Sequence, residues 1–200
     1  MTAELTAALI SYAFVSSITP GPNNLMLLAS GMNFGFLRTV PHMLGISVGF
    51  GLMFIIIAAG LGQVFDAVPA LFTVLKVLAI VYLLYLAWRI ATAAPLSDGE
   101  DAGQQSKPFS FLQAAAFQWV NPKAVAMALT TLTVYTPQNP SWGVISLVAL
   151  IFSMVNLPSV GTWAIIGLQV RRLLANRRAQ RVFNLTCAAL LVASLYPMLS

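Results

Sequence analysis

Apolar residues in this chain come in long runs, not in the two-residue alternation of a half-buried strand or the narrow stripe of a surface helix. The runs fall at about residues 5–29, 40–61, 71–90, 111–134, 142–168 and 182–199. A helix needs roughly 20 mainly apolar residues to cross a bilayer. The pattern therefore predicts an all-α integral membrane protein with six transmembrane helices.

Two of these runs are interrupted near their middles. The first contains Thr19, Pro20, Gly21, Pro22, Asn23 and Asn24. Pro20 and Pro22 lack the N–H that would close helical bonds to the carbonyls of Ser16 and Ile18, and each ring clashes with the preceding turn. Pro22 has the fixed φ of a first helical residue, so a half-helix is expected to start there, with the N–H groups of Asn23, Asn24 and Leu25 at its positive end. The fourth run contains Trp119, Val120, Asn121, Pro122, Lys123 and Ala124. Pro122 frees the carbonyl of Gln118, the proline drives Asn121 toward extended backbone, and Asn followed by Pro makes a cap and a first turn. In hydrocarbon an unpaired backbone group is costly, so such breaks survive only where they are buried in protein or line a cavity. A proline kink re-satisfied by neighbouring helices is the structural alternative. The fifth run offers Asn156 and Pro158 as a third polar interruption, either a gate or a simple kink.

Composition supports a lipid environment: 59% of the 200 residues are hydrophobic and 8% charged, against about a quarter charged in soluble domains. The net charge of +5 then reads as topology, with no nucleic-acid partner implied. The first connection holds Arg38, the second Asp66, the third is edged by Arg89 and Lys107, the fourth is uncharged, and the fifth holds Arg171, Arg172, Arg177, Arg178 and Arg181. The odd connections are basic, which places them in the cytoplasm and both termini outside, with Lys76 the one dissenter. The first ten residues lack the basic start of a cleaved signal peptide, so the first run is expected to stay in the protein.

Residues 93–109, polar and rich in Ala, Gly, Gln, Ser and Asp, read as a cytoplasmic linker between residues 1–92 and 110–200. Three spans in each half force the second half to enter the membrane inverted. The fold expected is two inverted three-helix repeats with interrupted first and fourth helices. Interrupted segments at corresponding positions of two halves point to a transport site near the midplane. The candidate substrate-binding residues are Pro20, Gly21, Pro22, Asn23, Asn24, Asn121, Pro122 and Lys123, joined by Asn156 and Pro158.

Lys123 is an intramembrane cation at the unfavourable end of a half-helix dipole, and no carboxylate lies in any expected span to offset it. Its partner is a bound anion, a substrate carboxylate or its own neutrality; the alternative is a side chain that snorkels to water. His42, after Pro41, is expected at an interface, with a proton relay shared with Lys123 as the other reading. Gly45, Gly49 and Gly51 suit close helix packing. Ala188, Ala189, Ala193 and Ser194 would let the sixth span approach another helix, in this chain or in a homodimer. The single cysteine, Cys187, suits packing. No zinc-type cluster, paired carboxylates or phosphate-cradling loop can be assembled, so no metal, cofactor or enzymatic role is expected. A channel or lipid-translocating protein would also need polar breaks, and a structural membrane subunit is the third class.

The same residues resemble a known family, the LysE/RhtB superfamily of bacterial amino-acid exporters. The resemblance rests on Thr19-Pro20-Gly21-Pro22-Asn23, the glycine series Gly31, Gly35, Gly45 and Gly49, the stretch from Tyr82 through Arg89, and Asn121-Pro122-Lys123-Ala124, and it covers nearly the whole chain. Asn23-Asn24 and the stretch from Ala87 to Thr92 resemble its cysteine and O-acetylserine exporter branch. The resemblance implies export of amino acids or close derivatives across the bacterial cytoplasmic membrane, driven by the proton or membrane potential. An α-amino acid fits such a site: its carboxylate suits half-helix N-termini or Lys123, and its ammonium suits freed carbonyls and Asn side chains.

Overall fold

A computed structural model describes residues 1–61, 69–93, 107–174 and 176–196, and among them the chain is helical with no strand. Helix α1, Ala3–Ile18, starts at Thr2, whose side chain accepts the Leu5 N–H at 3.2 Å. It stops where Pro20 and Pro22 withdraw the donors that would continue it, and α2, Pro22–Phe34, opens with Pro22 as its first residue. Gly35, at φ +80°, turns the chain sharply into α3, Phe36–Ile56, which runs on through a π-helical stretch to Leu61. Helix α4 is Pro69–Ala91. The short α5, Phe111–Phe117, begins on a reciprocal capping box of Ser110 and Gln113. A 3₁₀ turn, Gln118–Val120, leads to Asn121 and then to α6, Pro122–Tyr135. Helices α7, Trp142–Leu173, and α8, Arg177–Ala193, complete the chain.

Both expected central breaks are present. At the third the helix is continuous: α7 runs through Asn156 and Pro158, in keeping with the kink of the two readings and without a break in the backbone. An isolated proline removes one donor, and with no second proline or glycine beside it the flanking turns hold. The basic fifth connection is also shorter than expected, because Arg177, Arg178 and Arg181 lie in the first turns of α8 behind the Asn176 cap. Asp66 and residues 94–106 of the expected linker lie outside the described residues.

Among the described residues, Phe36–Gly60 and Trp142–Leu173 are long and apolar enough to cross a bilayer. The outward faces agree with that setting, since Leu52, Val81, Leu84, Trp88, Leu150 and Met154 are exposed. Such a belt of large apolar side chains is stable against lipid and not against water.

Helix α7 is the post around which the first half packs. At its crossing with α2 the backbones nearly touch: a Cβ on Gly31 would lie 2.1 Å from the Ala164 carbonyl oxygen, and one on Gly167 2.1 Å from that of Leu28. Gly45 and Gly49 bring α3 equally close to α5, where a Cβ would meet Phe111 O at 2.4 Å and Ala115 Cα at 2.5 Å. These glycines serve helix packing, as their spacing implied. Leu9, Phe50, Phe54 and Phe152 form one buried cluster, and Leu25, Leu83, Phe117 and Leu191 a second. Ala188 packs in the second cluster with Leu83 and Ala87 of α4, so one of the small residues of α8 is used within this chain. Cys187 is buried, in keeping with a packing role.

Candidate functional site

The α1–α2 break frees carbonyls, and the fold supplies a donor for each. Val15 O keeps a backbone donor, the Thr19 N–H at 3.2 Å. Ser16 O, stripped of its helical partner by Pro20, accepts the Thr19 hydroxyl at 3.0 Å. Ser17 O and Thr19 O both accept from Asn24 Nδ2, at 2.8 and 2.7 Å, so this side chain ties the broken ends together. Ile18 O, freed by Pro22, accepts Trp163 Nε1 from α7 at 3.0 Å.

The second break lies against the first. Asn121, at φ −87° and ψ 107°, is extended as the following proline requires, and its side chain caps α6 by accepting the Lys123 N–H at 3.2 Å. The Lys123 side chain crosses to the first break. Its Nζ donates to Thr19 O at 2.7 Å, Thr19 Oγ1 at 2.9 Å and Pro20 O at 3.3 Å. Thr19 caps the C-terminus of α1, so the ammonium meets the negative end of that helix dipole. The compensation that the sequence demanded comes from carbonyls of the chain. Gly21 makes room for this crossing: its extended backbone suits any residue, but a Cβ there would lie 2.8 Å from Lys123 Cδ. A second bridge is reciprocal, with Asn23 Nδ2 donating to Gln118 Oε1 at 2.8 Å and Gln118 Nε2 returning a bond to Asn23 Oδ1 at 3.3 Å.

Asn156 extends the polar centre into α7 and α3. Its Nδ2 donates to Ser17 Oγ at 2.9 Å and its Oδ1 accepts the Ser47 hydroxyl at 2.8 Å. Ser17, Gly21, Asn23, Asn24, Asn121, Lys123 and Asn156 all line one cleft, bounded on its apolar side by Phe50, Met127 and Val160. Counted out to its open mouth the cleft measures about 320 Å³.

Of the residues singled out by sequence, Gly21, Asn23, Asn24, Asn121, Lys123 and Asn156 meet in this cleft. Pro20 contributes its carbonyl, while Pro22 and Pro122 act as the first residues of α2 and α6. Pro158 does not line the cleft. His42 is 1% exposed, enclosed by protein on all sides. Its ring lies 5.2 Å from that of Phe109, and neither nitrogen has a hydrogen-bond partner among the described residues. It lines a different cavity, with Ser30, Asn33, Arg89 and Lys107.

Comparison with known proteins places this geometry. A family model described as "LysE type translocator" matches residues 14–194, which takes in both breaks, the Lys123 crossing and Asn156. The chain belongs to the LysE family. This LysE-family chain is 32% identical to the cysteine/O-acetylserine efflux protein of Escherichia coli (strain K12), over 96% of each chain. It is equally similar to the protein of that name from Shigella sonnei (strain Ss046) and 31% identical to that of Escherichia coli O139:H28. No solved structure matches it. As a LysE-type translocator it is a multi-pass protein of the bacterial inner membrane and not an enzyme.

Sequence reasoning about this LysE-family site missed Ser17, Gln118, Ser47 and Trp163 as partners. Gln118 and Ser17 carried a usable signal, each being a polar side chain in an apolar run one turn before a break. Trp163 carried none, because its acceptor is 145 residues away.

Proposed function

We propose that this LysE-family protein exports cysteine, O-acetylserine or a close amino-acid relative from the cytoplasm by secondary active transport driven by the proton motive force. The observation that supports this most is the meeting of two helix breaks in one polar cleft, with Lys123 of one bonded to the freed carbonyls of the other. The cleft offers both kinds of partner that a zwitterion needs. No side chain caps α2, so the N–H groups of Asn23 and Asn24 and the positive dipole end are free for a carboxylate. The carbonyls of Thr19 and Pro20 suit an ammonium. The substrate names come from the relatives, at 32% identity over nearly the whole chain.

The six-span inverted repeat is part of this reading. Pro22 and Pro122 each start a half-helix, and the next residue of each, Asn23 or Lys123, reaches across to the opposite break. That reciprocity is what a two-fold axis in the membrane plane, relating residues 1–92 to 110–200, would produce. Alternating access then has the substrate enter and leave as the halves rock about this cleft. The basic connections put both termini outside. Ala189 and Ala193 remain exposed on α8, open to a second copy in a homodimer.

The test is efflux of labelled cysteine, O-acetylserine, threonine, lysine and leucine from vesicles, with and without an imposed pH gradient. Selective efflux that responds to the gradient is expected, with that response lost in Lys123→Ala. Flux that no amino acid competes for would replace the exporter with a channel. Impermeant labelling of cysteines placed at each end of the chain, in a Cys187→Ser background, reads the topology and refutes it if either end labels only from the cytoplasm.

A further inference from the structure

Lys123 holds its ammonium on carbonyl oxygens, with no carboxylate taking part. The bonds to Thr19 O, Thr19 Oγ1 and Pro20 O, at 2.7, 2.9 and 3.3 Å, use the three donors of a primary ammonium. The α-ammonium of an amino acid carries the same three donors and the same charge. The other carbonyls at the end of α1 are held by groups other than Lys123, since Ser16, Ser17 and Ile18 accept from Thr19, Asn24 and Trp163. Thr19 O accepts Asn24 Nδ2 at 2.7 Å and offers its second lone pair to Nζ. A substrate ammonium entering the cleft therefore competes with Lys123 for the Thr19–Pro20 cradle.

Two ammonium ions cannot share it. The groups that share the cleft with Lys123 include Ser17 and Asn23 from the α1–α2 break, Phe50 from α3, Gln118 from the 3₁₀ turn, Asn121 that caps α6 and Asn156 from α7. None is ionisable, and no carboxylate, histidine, cysteine or tyrosine lines the cleft among the described residues. No side chain in the cleft can neutralise a second positive charge, and the substrate's carboxylate is engaged at the start of α2, so one cation must leave the cradle or lose its charge. Lys123 is covalently held, and an ammonium can release a proton.

We infer that the Thr19–Pro20 carbonyls form an ammonium-binding cradle, filled by protonated Lys123 when the protein is empty and by the substrate's α-ammonium once Lys123 has given up its proton. This rests on the export reading above and supplies its coupling step. Substrate binding from the cytoplasm breaks one N–H bond on Lys123 and sends the proton to cytoplasmic water, leaving a neutral amine. Release of the substrate outside empties the cradle, and the amine takes a proton from outside water and returns to the carbonyls. One substrate moves out for each proton that moves in, and a zwitterionic substrate carries no net charge of its own. Both the pH gradient and the membrane potential then drive export.

The decisive measurement is calorimetric binding of O-acetylserine to the detergent-solubilised protein in two buffers of different ionisation heat, which counts protons released. Wild type should release one proton per bound molecule, and its affinity should rise tenfold per pH unit while Lys123 is protonated. Lys123→Gln should bind with no proton release and support downhill efflux without gradient-driven accumulation. Lys123→Arg, which stays charged, should keep the cradle filled and lose both binding and efflux. Wild type that exports and binds without releasing a proton overturns the coupling and leaves export standing. Proton release retained by Lys123→Gln overturns it as well. Folded wild type that neither binds nor moves any amino acid overturns the export reading together with this inference.

Discussion

Substituting Gly31 by alanine tests whether the α2–α7 crossing sets the geometry of the cleft. A Cβ at Gly31 would stand 2.1 Å from the carbonyl oxygen of Ala164, where ordinary contact begins at 3.4 Å. The obstacle is backbone, so no rotamer relieves it, and the helices must part locally by about 1.3 Å, the difference between those two distances. Gly167 faces Leu28 O at the same 2.1 Å from the other side of the crossing, so sliding one helix along the other does not help. Overpacking of this kind costs about 1–3 kcal/mol, and the helix propensity gained on replacing glycine returns at most about 1 kcal/mol. A net loss of about 1–2 kcal/mol is expected from denaturant titration in detergent. The displacement also reaches Asn156, two turns before Ala164 on α7, whose bonds to Ser17 and Ser47 at 2.9 and 2.8 Å have little slack. Efflux should fall several-fold in vesicles carrying equal amounts of protein. Gly143→Ala is the control, since its Cβ would meet nothing closer than Ser141 Oγ at 3.8 Å. Wild-type stability and efflux in Gly31→Ala, matching the control, would refute the claim that this crossing holds the cleft.

Other positions separate local from long-range effects. Gly21→Ala should leave stability within about 0.5 kcal/mol of wild type, because its backbone is extended, yet depress efflux by pushing on Lys123 Cδ at 2.8 Å; unaltered transport would remove Gly21 from the Lys123 crossing. Gly60→Ala should lose about 1–2 kcal/mol from backbone strain alone, since φ is +116° and a Cβ there has open space; equal stability by denaturant titration would show that the bend relaxes. Asn33 and Asn184 exchange side-chain bonds at 3.0 and 3.2 Å across α2 and α8. Each single leucine substitution should therefore cost about 1–3 kcal/mol by stranding a buried amide. The double variant should cost less than the sum, by the roughly 0.6–1.7 kcal/mol seen for such pairs in membranes. Strict additivity would mean that the pair is not coupled.

What the sequence by itself determined is whatever follows from a residue's own covalent structure and its near neighbours. Proline lacks an N–H in any fold, so the breaks before Pro22 and Pro122, the extended Asn121 and the half-helix starts were legible from the letters. The apolar runs likewise announced helices in lipid, and the glycine spacing of α3 announced a close approach. Only the tertiary structure decided where the freed groups would be satisfied. Lys123 finds its acceptors 104 residues away at Thr19, Asn23 pairs with Gln118 across 95 residues, and Ile18 O takes its donor from Trp163. No local pattern encodes such pairings, because they depend on which helix faces turn toward one another. The same holds for two positions whose surroundings the letters left open. Pro158 leaves α7 unbroken because the turns around it stay intact, and His42 is enclosed because Phe109, far along the chain, closes over it. A cation in the membrane signals from sequence that it needs a partner; which atoms serve is settled only when two breaks from opposite halves are packed side by side.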